Sequence, residues 1–287
     1  MDLSILAQLV LSGILLGAIY ALAAAGLNLI FGVMRVVNVA HGDLMMLGAY
    51  TTIFLYERFD LNPLLSLFIS IPLLFAFGWL IQRALVNRVV NQPHLMSLIL
   101  MWGMSLVIIN AGLYFFTANT RAVPYLTGAI PLGDVALSRA RGVAFVAAAL
   151  ISLAVWLFLQ RSKWGKAIRA VAQSAEMARV CGINVERVRV VTFALASALA
   201  GAAGTLLITI LAINPSVGPT FLLKGFAIIV VGGLGSFSGA FIGALVIGVL
   251  ESLAAFFLDT QLAEVVIFFT LILFLLVRPG GIMGVEE

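Results

Sequence analysis

Two histidines, one cysteine and twelve carboxylates are the chain's whole stock for acid–base, nucleophilic or metal chemistry. His41 and His94 are too far apart in sequence to form a His-Glu-x-x-His zinc pair. The single Cys181 excludes a disulfide within the chain and any cysteine-based metal cluster. There is no Gly-x-Ser-x-Gly nucleophile elbow. There is no phosphate-binding loop either, because Gly165-Lys166-Ala167 lacks both the upstream glycine and the hydroxyl. No catalytic residue, metal ligand or cofactor site is therefore assigned. What remains is non-covalent chemistry: hydrogen bonding by a few polar groups set into apolar sequence.

Those groups cluster at two breaks. In the first, Gly26-Leu-Asn28-Leu-Ile-Phe-Gly32 runs through Val33-Met-Arg-Val-Val-Asn38-Val-Ala-His41-Gly42-Asp43 and returns to apolar Leu44–Tyr50. In the second, Gly225–Val231 reaches Gly232-Gly233-Leu-Gly235-Ser-Phe-Ser-Gly239 and returns to Ala240–Gly243. Polar or glycine-rich interruptions in opposite halves of an apolar chain free backbone groups that need water or a solute, and so point to a transport path. Asn28, Asn38, His41, Asp43, Gly232, Gly233 and Gly235 are the path candidates. The competing reading is a pair of tight surface loops, with His41 and Asp43 satisfying backbone at a helix end. Glu251 is the most deeply placed carboxylate and a functional candidate on that ground.

The elements that would position these groups follow from composition. Of 287 residues, 63% are hydrophobic and 10% charged, and the mean hydropathy is +1.19. Helices apolar on most faces cannot all hide in one protein core, so the bilayer is the remaining solvent. A soluble enzyme, a disordered chain and a secreted disulfide scaffold are excluded. No signal peptide is expected, since Met1-Asp2-Leu3 lacks a positive n-region. Charge-free runs at Leu3–Met34, Leu61–Gln82, Val89–Thr120, Gly142–Gln160, Val190–Leu223 and Gly225–Leu250 each admit a crossing of about 20 residues. Leu44–Tyr56 and Val265–Val277 are shorter, borderline spans. The expected architecture is an all-α polytopic membrane protein of about eight transmembrane helices, with nine or ten as alternatives. It forms one transmembrane unit over residues 1–287.

Seven of the sixteen cations, Arg161, Lys163, Lys166, Arg169, Arg179, Arg187 and Arg189, lie in the connection 161–189, opposed only by Glu176 and Glu186. The positive-inside rule places this loop in the cytoplasm. Counting back through five spans places the N-terminus outside, and Arg278 after the last span fits a cytoplasmic C-terminus. The net charge of +4 reflects basic loops rather than nucleic-acid binding. Lys166–Gly182 reads as one short helix with Ile168, Val171, Ala172, Ala175 and Ala178 as an apolar stripe, Arg169 on its solvated side, and glycine at its stop. Periodicity leaves open whether it is a surface linker or docks on a partner. Ser197, Gly201 and Gly204 mark a helix that another helix approaches closely.

Taken together, the segments Gly26–Gly32, Val37–Tyr50, Ala170–Gln173, Gly182–Asn184, Thr192–Gly204, Gly232–Ser236 and Arg278–Gly284 resemble the permease of branched-chain amino-acid ABC importers, of the H type in the Liv family. The Asn38-Val-Ala-His-Gly-Asp43 run is similar to that family's Asn-Phe-Ala-His-Gly-Glu form, with Asp43 a shorter carboxylate. Glu176-Met-Ala178-Arg-Val-Cys-Gly182 resembles the Glu-Ala-Ala-x-x-x-Gly coupling motif of ABC permeases. The resemblance implies the ABC importer permease fold in a bacterial inner membrane, with Ala175, Glu176, Ala178 and Gly182 coupling to an ATPase. It also implies a second homologous permease, two cytoplasmic ATPase subunits that carry ATP and magnesium, and a periplasmic binding protein that delivers a branched-chain amino acid. Related permeases carry urea, amides or other small solutes, which is the alternative cargo. An ion-coupled secondary transporter is the alternative class.

Overall fold

The computed structural model describes residues 3–132, 135–278 and 280–283; Met1, Asp2, Pro279 and Gly284 of the segments above lie outside them. Helix α1 (Leu3–Met34) runs 32 residues without a charge, roughly 48 Å at helical rise. Then follow α2 (His41–Phe59), α3 (Leu67–Ile81), a π-helical turn (Gln82–Val86), the short α4 (Asn87–Val89) and α5 (His94–Phe116). A hairpin of β1 (Ala129–Leu132) and β2 (Val135–Ser138) precedes α6 (Arg139–Arg161). The basic connection holds α7 (Lys163–Gln173) and α8 (Ala175–Val180). The chain closes with α9 (Val185–Leu207), α10 (Gly218–Gly232), α11 (Phe237–Phe257) and α12 (Thr260–Val277).

Among the described residues, seven helical segments are long and apolar enough to cross a membrane: α1, α3 through α4, α5, α6, α9, α11 and α12. The chain is thus a multi-pass, predominantly α-helical membrane protein. Helices α2 and α10 are also embedded in the bundle but begin in its interior. Val190–Leu223 does not form the single span its lack of charge suggested. The helix stops at Leu207, the chain turns through Asn214-Pro215-Ser216, and α10 starts at Gly218. Proline cannot supply a helical N–H, and Asn214 Oδ1 accepts from the Ser216 N–H at 3.0 Å, which stabilises the turn. Lys224, which separated two charge-free runs in the sequence, consequently lies inside α10. Helix α10, at 15 residues, is a shorter apolar helix than those seven segments.

Small residues set the packing. Almost every residue of α9 is buried, because its Ala/Gly surface admits neighbours on all sides. A side chain at Gly204 would strike the Met45 carbonyl of α2, one at Gly48 would strike the Gly201 backbone, and Ser197 packs on Gly78 of α3. Gly13 and Gly17 of α1 meet Gly248 and Ala244 of α11 in the same way.

The hairpin is tied to the start of α1, where Gln8 Nε2 donates to Ala136 O at 2.6 Å and Ala136 N–H donates to Gln8 Oε1 at 2.8 Å. At that end Arg121 pairs with Glu57 at 2.9 Å and its backbone bridges Ile213. At the opposite end lie the basic connection and Arg35, Arg83, Arg88 and Arg278, opposed among the described residues only by Glu176 and Glu186.

Candidate functional site: the starts of α2 and α10

The first break is real. Helix α1 ends at Met34, Arg35 adopts φ of 52°, and regular structure resumes only at His41. A turn closed by His41 N–H donating to Asn38 O at 3.1 Å leads into α2. His41 Nε2 lies 2.9 Å from Ala23 O, and a side chain at Gly26 would meet the His41 ring. Ala23 and Gly26 are more than one turn inside α1, so residues 35–40 return into the bundle and α2 starts there.

Helix α10 starts in the same place. A side chain on Gly42 would strike Gly218 O, and one on Gly218 would strike the Asp43 carboxylate. Only glycine at both positions lets the first turns of α2 and α10 meet. Neither has a side-chain cap. Each therefore presents the positive end of its dipole to the interior, and the Asp43 carboxylate lies against the first residue of α10. Asn38, His41 and Asp43 are each at most 2% exposed, yet both Asn38 amide atoms, His41 Nδ1 and both Asp43 oxygens lack a hydrogen-bond partner in the chain. Burying a polar group unpaired costs about 1–3 kcal/mol, so three within six residues make this break the candidate place for contact with a polar solute or water. Donors (Asn38 amide, helix-start N–H groups) and an anionic acceptor (Asp43) stand together, a set suited to a zwitterion. A cavity of about 460 Å³ opens beside this break, between Phe31, Arg35, Val37 and the start of α5. A larger cavity of about 600 Å³, among Leu47, Leu74, Phe77 and Ile108, is apolar and does not include the break residues.

The second sequence break plays a different part. Gly233 (φ 113°) and Gly235 (φ 82°) make a tight turn from α10 to α11, and Ser236 Oγ accepts from Gly239 N–H at 3.0 Å to cap α11. Gly232 packs flush on Gly239. Asn28 is committed here: its Nδ2 donates to Ser236 O and its Oδ1 accepts from Gly235 N–H, both at 2.7 Å. The structure thus places Asn28 together with the turn of glycines 232, 233 and 235, two residues along α1 from Gly26, which His41 contacts. The partner of the first break is the Asn214–Gly218 turn, which the sequence reading passed over. Its Asn-Pro and Gly-Pro dipeptides were the available signal.

Glu251 is not a lone carboxylate. Its Oε1 is 2.7 Å from Lys224 Nζ and accepts from Tyr20 OH at 3.2 Å, while Lys224 Nζ lies 5.7 Å from the Tyr20 ring centre. This network joins α1, α10 and α11.

The basic connection is two helices rather than one. Ser174 is extended (φ −158°, ψ 112°), and its Oγ accepts from Met177 N–H, so it ends α7 and caps α8. Gly182 takes φ of 81°, and Ile183 N–H donates to Ala178 O at 2.9 Å, closing α8. Ile168 and Val171 before the break and Ala178 after it face the bundle; of the expected stripe only Ala172 is exposed. Ala175 is half-buried; Glu176 and Gly182 are exposed. The outward face of α8 also carries Met177, 63% exposed, and Val180, 81% exposed. Arg169 is exposed, as expected, and its guanidinium also reaches Leu159 O in the last turn of α6.

Residues 9–276 match the family model described as the permease component of the branched-chain amino acid transport system. The chain is 35% identical to the high-affinity branched-chain amino acid transport system permease protein LivH of Escherichia coli K12, over 98% of this chain and 96% of that one. It is 34% identical to the permease protein BraD of Pseudomonas aeruginosa and 33% identical to LivH of Salmonella typhimurium, with the same coverage. No solved structure matches the chain.

Proposed function

The chain belongs to the family of branched-chain amino-acid transport system permease components, and from that premise we propose how it works: it forms half of the path of an ATP-driven importer, by alternating access. The observation that carries the reading is the meeting of the uncapped starts of α2 and α10 around unpaired, buried Asn38, His41 and Asp43. A branched-chain amino acid needs brief polar partners for its ammonium and carboxylate while its side chain passes apolar walls. Asp43 serves the ammonium, and the helix starts with the Asn38 amide serve the carboxylate. Nothing there is strongly charged in sum, so binding is weak and release easy.

Residues 1–287 act as one permease domain in a bacterial inner membrane. The positive-inside bias supports the basic end facing the cytoplasm, with the N-terminus outside and the C-terminus inside. A second homologous permease completes the path, a periplasmic binding protein delivers the solute, and two ATPase subunits supply ATP–magnesium chemistry. The 161–189 loop seats on an ATPase through α8, with Glu176, Met177 and Val180 as the contact, and with Ala175, Ala178 and Gly182 setting the helix's position and stop. An ion-coupled mechanism has little support, because Glu251, the carboxylate it would use, is already paired with Lys224.

The test is uptake by proteoliposomes holding the permease pair and its ATPases. Loaded binding protein should stimulate ATP hydrolysis and leucine uptake together, and Asp43→Leu should abolish uptake while the complex still assembles. Leucine uptake without ATP would remove the ABC mechanism, and uptake of urea in place of leucine would remove the cargo assignment.

A further inference from the structure

We propose that a pocket between α3, α7 and α9, at the basic end of the bundle, binds the phosphate headgroup of an anionic phospholipid. The cavity measures about 470 Å³ and is lined by Trp79, Arg83, Asn87, Trp164, Glu186 and Arg187, over a floor of Val190 and Val191. Trp79 and Arg83 are one helical turn apart on the same face, and the Arg83 guanidinium lies 5.0 Å from the Trp79 ring centre. That stacking fixes the guanidinium while leaving its N–H donors free for a phosphate. Glu186 Oε1 accepts from Asn87 Nδ2 at 3.1 Å, which holds this carboxylate against one wall. Two guanidiniums and one carboxylate leave a single net positive charge, matched to the single negative charge of a phosphodiester.

Depth selects a lipid over a dissolved anion. No charge occurs on α3 before Arg83 in the following π-helical turn, and on α9 none follows Arg189, so the pocket straddles the boundary between apolar helix surface and charged end. Trp79 and Trp164 are 38% and 43% exposed at that boundary, the level at which tryptophan anchors in a bilayer. Free phosphate would use the arginines but not the valine floor or the indoles; a lipid's glycerol and acyl chains use both. Basic pockets between helices on the cytoplasmic side recognise acidic headgroups by this combination.

The experiment uses the full-length permease in nanodiscs of phosphatidylcholine with a minor fraction of phosphatidylglycerol, and native mass spectrometry counts the retained lipids. Phosphatidylglycerol should be enriched over its share of the disc. Arg83→Gln and Arg187→Gln should each cut that enrichment roughly fivefold, whereas Arg88→Gln, on the same helical segment but outside the pocket, should leave it unchanged. Arg83→Lys should recover part of it, charge being kept and the fork lost. Three results would overturn the proposal: unchanged enrichment in the double Arg83→Gln/Arg187→Gln variant, inorganic phosphate displacing the lipid at millimolar concentration, or complete loss of the lipid when the ATPase subunits bind, which would make the pocket part of a protein interface.

Discussion

Lys224 and Glu251 show how a buried ion pair differs from two buried charges. Each would be costly alone in an apolar bundle, and together, with Tyr20, they offset most of that cost. Lys224→Met leaves Glu251 unpaired and should destabilise the protein by about 3–5 kcal/mol. The double variant Lys224→Met/Glu251→Leu should recover most of that loss. Thermal unfolding in detergent measures both, and additive losses would mean that the two groups do not interact. Asn28 poses a parallel question. Asn28→Ala leaves Gly235 N–H and Ser236 O without their partner and should cost about 1–3 kcal/mol. Asn28→Asp keeps the acceptor, loses the donor and should fall between wild type and alanine in the same melts.

At the scale of elements, α8 separates two ways of failing. Met177→Asp and Val180→Asp alter only its exposed face, so they should abolish co-purification of the ATPase subunits while leaving the permease melting temperature unchanged. Ala178→Trp places a large ring where the side chain faces the bundle at 4% exposure, so it should lower the melting temperature as well. If Met177→Asp retains the ATPase, the contact lies elsewhere on the basic end. Helices α2 and α9 make a second case. Gly204→Val drives a branched side chain into the Met45 carbonyl and should prevent accumulation of folded protein, read by size-exclusion of the detergent-solubilised chain. Gly103, with open space around it in α5, is the matched control: Gly103→Val should accumulate normally.

At the scale of the whole molecule, orientation can be read with the chain's own cysteine. Cys181 is exposed on the basic connection, so an impermeant maleimide should label it in permeabilised cells but not in intact ones. In a Cys181→Ser background, Asn119→Cys, exposed on the α5–β1 connection, should label in intact cells. The reverse pattern would invert the topology. Much of this organisation was legible from residues alone. Charge-free length and the run of basic residues at 161–189 determined a polytopic helical bundle and its basic end, because the bilayer penalises charge wherever it occurs in the fold. The polar run at Asn38–Asp43 determined a break, because such residues sit poorly in an apolar helix. Only the tertiary structure decided which groups meet. It paired that break with the Gly218 helix start, gave Asn28 to a different turn, and gave Glu251 its lysine. The physical reason is that a hydrogen-bond or charge partner is chosen by close approach of distant helices. That approach depends on which glycines face each other across the bundle, and sequence order does not express it.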